Sequence, residues 1–471
     1  MSKLNATDIQ GFVLRGYNMP YARYSFLHFS SAAGARAFLH ALLGVITTGQ
    51  LWDQGKPAST VNIAFTHKGL EALELPIATL ISFSVEFQQG MKARGSILGD
   101  TGANSAEHWD TVWREGQVHA WLAINAITPE ALEERFAQLQ TLIVQADGIT
   151  LLDSQDAAAL VEDGEVTLKE HFGYTDGFGN PDYLGVCRKT QPGQGKLLPN
   201  GTWAPLATGE LLLGYADEAG ELPVAPIPHI LAENGTFMVY RKLHQNVGTF
   251  RRFLDEWAAR YGAGDAQARE KLAAKFIGRW RDGTPIELSP DAQDPSIAHD
   301  PDRSTNFTYE EDSAGTRCPI GAHIRRVHPR DAFGFEGRLI NRRRITRRGM
   351  PYGPFAAGDH ASATEAKELD QTDRGVVFMA LNASISRQFE FVQQQWISYG
   401  NDAHLGNEKD LLLANHQPGE KYSIQGDTNP SNPPLFCANL PNFVELRGGE
   451  YFFLPSITAL GMLALNVVDP R

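Results

Sequence analysis

Three stretches of this chain carry side chains of the kinds that do chemistry. The first is Glu170-His171-Phe172-Gly173-Tyr174-Thr175-Asp176-Gly177, with Gly179-Asn180-Pro181 just after it. Asp-Gly and Asn-Pro are ordinary turn formers. They also allow a carboxylate, Asp176, to be presented on a tight loop, where glycines such as Gly177 let the backbone approach a flat ligand. The second stretch runs from Cys318 to Arg330 (CPIGAHIRRVHPR). His323 sits between apolar Ala322 and Ile324 and is expected to be buried. A lone histidine is most often a satisfied polar residue, but a buried imidazole is also a common axial ligand of haem iron. His328 is the rival within the same stretch. The third is a run of nine arginines between Arg325 and Arg348. It reads either as a solvated strand edge with acidic neighbours or as a grip on a compact anion, which guanidinium groups bind bidentately. Haem propionates are anions of that kind.

Side-chain parity adds to the third stretch. If Leu339 to Arg348 is a strand, Leu339, Ile345 and Arg347 share one face. Arg347 then lies beside apolar side chains, where an unpaired cation is costly unless an anion meets it.

The elements around these stretches alternate between strand and helix patterns. Strands are expected at 22–30, 60–66, 120–126 and 148–152, and helices at 32–46 and from Pro129 to about Gln145, the latter opened by Thr128-Pro129-Glu130. A Pro/Gly-rich stretch from Gly177 to Gly214 reads as a linker with structured loops. The pattern then returns: strands at 235–242 and 375–382, helices at 247–261, 266–280 and 385–397, and two short strands, 443–446 and 451–454, joined by Arg447-Gly448-Gly449-Glu450. Strands and helices in this order indicate an α+β protein of two similar halves in tandem, although no residue-level repeat links them.

Composition narrows the function classes. The chain has 471 residues, enough for about two domains. Hydrophobic residues make up 42% and charged residues 21%, as in ordinary globular proteins. A net charge of −13 argues against nucleic acid as partner. Cys187, Cys318 and Cys437 are far apart, without a C-x-x-C pair. That argues against a disulfide framework, a zinc site or covalent c-type haem, and fits a cytoplasmic location. The N-terminus shows neither an apolar export core nor twin arginines. The apolar stretch from Tyr451 to Val468 contains Pro455, Ser456, Thr458 and Asn466 and reads as a buried strand and helix, not a membrane span. Neither G-x-S-x-G nor a P-loop is present.

Five blocks, in order along nearly the whole chain, resemble the dye-decolorizing peroxidases: DIQGFVLRGY (8–17), GYTDG (173–177), CPIGAHIRRVHPRD (318–331), RRGMPYGP (347–354) and NASISRQFEFVQQQW (382–396). The resemblance implies two ferredoxin-like α+β domains, antiparallel sheets with peripheral helices, divided as 1–205 and 206–471, the second holding most of a non-covalent haem b (iron protoporphyrin IX). It puts the proximal iron ligand on His323, the distal acid on Asp176 and the distal arginine on Arg347, with Arg348 as the neighbouring alternative. Some relatives carry an asparagine two positions after the distal arginine; here that residue is Gly349. Gly177, Arg325 (toward a propionate) and Glu390 (behind the proximal imidazole) complete the expected cofactor site. The activity implied is oxidation of dyes, phenolics and other aromatic one-electron donors by hydrogen peroxide through a ferryl intermediate. The alternative is a protein that stores or handles haem without peroxidase turnover. A homo-oligomer is compatible with either.

Overall fold

In a computed structural model that describes residues 4–262, 264–334, 337–426 and 433–469, the chain is built on one sheet. Strands β1 (Tyr21–Phe29), β2 (Ser59–Phe65), β3 (Ala120–Ala126) and β4 (Ile149–Ala158) come from the first half. Strands β5 (Thr236–Gln245), β6 (Thr346–Arg347), β7 (Met350–Tyr352), β8 (Gly375–Asn382) and β9 (Val444–Leu454) come from the second. The order is β6-β8-β5-β9-β2-β3-β1-β4, with β7 pairing β8 beside β6, and every pairing is antiparallel. The two halves join where Phe453 of β9 meets Phe65 of β2. The end strands are not hydrogen-bonded to each other, so the sheet is open, although β7 lies against β4. The expected α+β class with antiparallel strands is the class observed, and the 205/206 division falls in the strand-poor stretch between β4 and β5.

Helices cover the sheet where the caps foretell them. Helix α1 (Ala32–Leu42) starts at Ser31, whose hydroxyl accepts the Gly34 N–H. Helix α2 (Pro129–Gln145) starts at Thr128, with Pro129 in its first turn. Helices α3 (Val247–Tyr261) and α4 (Ala266–Ile277) pack a second core that includes Phe250, Phe253, Trp257 and Phe276. Helix α5 is the single turn His323–Val327, and α6 (Ile457–Leu465) follows β9 directly. The apolar C-terminal stretch is therefore a strand and a helix. Among the described residues no helix is long and apolar enough to cross a membrane.

Two expectations are corrected. Residues 443–454 are not two strands joined by a turn. They form the single strand β9, with a register shift between Leu446 and Gly448. Gly448 has φ +149, and a Cβ there would lie 2.0 Å from the Trp113 ring, so this glycine lets a tryptophan press on the bulge. Nor is 339–348 a strand. Arg338–Asn341 is a helical turn and only Thr346–Arg347 pairs with the sheet, which leaves Leu339 53% exposed and off the face of Arg347. The expected helix over 385–397 is present as two wide-turned π-helical segments, Ser386–Glu390 and Val392–Ile397.

Candidate active site

A cavity of about 310 Å³ opens between the 170–179 loop and second-half elements, a usual size for a small-molecule site of ~300–1,000 Å³. Its apolar wall includes Phe172, Ile277, Val327, Phe378, Phe389 and Leu413. Asp176, His323, His328, Arg279, Arg330, Arg344 and Arg347 are among its polar groups. The sequence thus scatters over more than 170 positions what the fold gathers around one space.

His323 opens α5, and its Nδ1 lies 3.0 Å from Oδ2 of Asp410. A carboxylate only accepts, so Nδ1 carries the proton and Nε2 keeps a free lone pair at the cavity. Asp410 is fully buried, and its other oxygen accepts the Leu412 and Leu413 N–H groups at 3.0 and 2.8 Å. Burial alone would raise this carboxyl. The nearby imidazole, Arg326 and the Leu413 amide outweigh burial and hold it below the usual carboxylate range.

Asp176 stands on the 170–177 loop. Its Oδ1 accepts from Arg347 Nη1 at 2.7 Å and from the Gly177 N–H at 2.6 Å. Arg347 also donates to the Phe178 carbonyl at 2.5 Å, and its backbone N–H donates to Asn180 Oδ1 at 3.0 Å. The Asp176 side chain keeps 56% of its surface free although protein encloses it, because that surface is cavity wall. Burial pushes its carboxyl up, but the Arg347 charge and the Gly177 amide bring it below the ordinary value. Gly177 has φ +96, a backbone state that favours glycine. A Cβ there would meet no protein atom within 4 Å, so its requirement is conformational, and the cavity wall itself is formed by Asp176, Phe178 and Gly179.

The arginine cluster divides. Arg279, Arg330 and Arg344 face the cavity, with hydrogen bonds only to backbone carbonyls: Arg279 to Gly283 and Ser304, Arg330 to Thr305 and Phe307, Arg344 to Gly179. Among the described residues none of the three has an ion-pair partner, and Arg344 Nη1 has no hydrogen-bond partner. Burial, then repulsion by neighbouring arginines, pushes Arg279 and Arg344 down to about 9, and burial lowers Arg330; His328 beside them is driven well below its usual value. Such a set calls for an anionic ligand.

Three expected placements change. Arg325 does not face this cavity: its guanidinium is held by Asp312 at 3.1 Å and by the Cys318 carbonyl at 2.6 Å, over the Tyr309 ring. A guanidinium already neutralised by a buried carboxylate has no need of a propionate. Glu390 is not behind His323. It is bound by Arg94 and by the Tyr451 hydroxyl, and Asp410 takes the role expected of it. Arg348 turns away to the Phe12 and Val13 carbonyls, so Arg347 alone of that pair faces the cavity.

An imidazole steadied by a buried acid, a carboxylate–guanidinium pair and unneutralised arginines around one apolar space form a site suited to an anionic ligand, with a nitrogen free to ligate. Comparison with known proteins makes this specific. Residues 8–158 match the family model described as the DyP dimeric alpha+beta barrel domain. A dye-decolorizing peroxidase of Mycetinis scorodonius is 30% identical, the match covering 97% of this chain and 87% of that protein. Among solved structures, an ancestral D-type dye-decolorizing peroxidase superposes with a TM-score of 0.81 at 30% identity, covering 98% of this chain and 99% of that one. A dye-decolorizing peroxidase in complex with 2,6-dimethoxyphenol does so with 0.81 at 27%, covering 98% and 100%. The chain belongs to the dye-decolorizing peroxidase family, whose members are haem enzymes.

Proposed function

We propose that this protein is a haem-dependent peroxidase that uses hydrogen peroxide to oxidise phenolic and dye-like one-electron donors. The observation that carries the reading is that His323, held from behind by Asp410, and the Asp176–Arg347 pair line the same cavity. A haem store would need the first pair only.

The residues present fit the cofactor. Nε2 of His323 would bind the iron, with Asp410 fixing the tautomer and making the ring a stronger donor. Arg279, Arg330 and Arg344, which lack anionic partners among the described residues, would take the propionates. No cysteine lines the cavity, which favours non-covalent haem b. When bound, the haem would supply the redox chemistry, giving the two electrons that peroxide cleavage takes up and regaining them from the donors.

Asp176 would take the proton from the nearer peroxide oxygen and hand it to the outer one, which leaves as water. Arg347 would stabilise the negative charge that grows on the leaving oxygen. The apolar wall of Phe378, Phe389 and Leu413 would limit water around that transfer. One-electron donors then restore the resting protein, and the phenol held by one relative supports phenolics as a donor class. Three free, widely separated cysteines favour a cytoplasmic location.

The test is titration of haem-free protein with haemin. One equivalent should bind with a Soret band, His323→Ala should abolish the iron–histidine spectrum, and peroxide should be consumed with 2,6-dimethoxyphenol as donor. Haem binding without peroxide consumption overturns the peroxidase reading.

A further inference from the structure

The loop that presents Asp176 is held by a carboxylate that the chemistry above does not use. Glu170 lines the same cavity. Its Oε2 accepts the Phe172 N–H and its Oε1 the Tyr174 N–H, each at 2.9 Å. The side-chain amide of Gln245, the last residue of β5, donates to Oε2 as well. The Glu170 main chain closes the same loop: its N–H donates to the Tyr174 carbonyl at 3.0 Å, and its carbonyl accepts the Gly173 N–H at 2.8 Å. The next residues are fixed in turn. Thr175 donates through its N–H and its hydroxyl to the Arg281 carbonyl, both at 2.9 Å, and the Asp176 N–H donates to the Leu168 carbonyl at 2.8 Å.

All three donors reaching the Glu170 carboxylate are neutral N–H groups, and among the described residues it has no ion-pair partner. An ionised carboxylate accepts all three through its two oxygens, although burial pushes this carboxyl up. A glutamine would present one oxygen and set its NH2 against a backbone N–H, and a protonated acid would lose an acceptor. A buried anion without a cation is unfavourable, and the three N–H donors offset that cost only while the loop keeps this shape. The carboxylate, the loop and β5 are therefore one unit, and Asp176 projects from its end.

We propose that Glu170 is a positioning residue for the peroxide reaction: its carboxylate ties the 170–177 loop to β5 and thereby sets the direction of the Asp176 carboxylate toward Arg347. This rests on the reading of Asp176 as the distal base.

Two measurements on Glu170→Gln and Glu170→Ala test it. The first is hydrogen exchange in the haem-free protein. Exchange at the Phe172 and Tyr174 amides should rise by about tenfold or more, while amides of α3 keep their wild-type protection. Unchanged loop exchange overturns the proposal. If Glu170→Ala loses protection everywhere, the isosteric Glu170→Gln decides. The second is the rate of the peroxide reaction in haem-loaded protein, alone and in the Asp176→Asn background. A residue acting through Asp176 slows wild type by about tenfold and adds nothing once Asp176 is gone, whereas a merely structural one slows both equally, which would overturn the proposal. If wild type itself does not react with peroxide, the peroxidase reading fails, and hydrogen exchange still decides whether Glu170 holds the loop.

Discussion

Asp410 and His323 are 87 residues apart in the chain and 3.0 Å apart in the structure, joined by a single Nδ1–H···Oδ2 hydrogen bond. The carboxylate that polarises the imidazole comes from a loop beyond the π-helical segments, while the imidazole opens a one-turn helix. Everything proposed for the iron side of the site depends on this contact.

Asp410→Asn should keep the fold but weaken the donor strength of His323. Outer-shell partners of this type contribute about 10–100-fold to metal affinity or activity, so haemin affinity or peroxide turnover should fall within that range. The ferric/ferrous potential should rise, because a less electron-rich imidazole stabilises ferric iron less. Spectroelectrochemical titration checks it; an unchanged or lower potential contradicts the role.

Arg344→Met should have opposite effects on the two forms of the protein. Without haem it removes a buried, unpaired cation and should stabilise by about 1 kcal/mol or more. With haem it removes a proposed propionate partner and should weaken haemin binding. Thermal melts of both forms and a haemin titration check the pair of signs.

The pH profile follows from Asp176. Arg347 and the Gly177 amide overcome burial and depress its carboxyl below the ordinary carboxylate range. The base is ionised above that depressed value, so peroxide reactivity should persist into mildly acidic solution and be lost only as pH falls through it. Arg347→Ala should raise this acid limb and, by removing charge stabilisation, lower the plateau about 10²–10³-fold. Pre-steady-state rates across pH check both; a limb that stays in place would deny the coupling.

Much of this arrangement could be read before folding, and the failures have physical causes. The spans 120–126, 247–261 and 375–382 have the observed bounds because apolar runs, β-branched residues and helix patterns agree there. The strand β9 was obscured by Gly448-Gly449, which look like a turn in sequence but make room for Trp113 (at Gly448) and for Met91 and the Tyr240 carbonyl (at Gly449), contacts from other parts of the chain. At the site, Asp176, His323 and Arg347 sit in local patterns that announce them. Asp410 does not: in Asn407-Glu408-Lys409-Asp410-Leu411 it looks like one of several surface acids, and only tertiary folding shows it fully buried. Glu390 offered an acid in a recognisable block, but Arg94 from the first half claims it. Arg279, outside the arginine run, had no local signal at all.

The most direct test of the account is stopped-flow mixing of haem-loaded wild type and Asp176→Asn with hydrogen peroxide, following the haem absorption band. The account predicts a rapid spectral change in wild type and a rate about 10²–10⁴-fold lower in Asp176→Asn, with the Soret band before mixing the same in both. Equal rates, or a wild-type protein whose spectrum peroxide leaves unchanged, would contradict it.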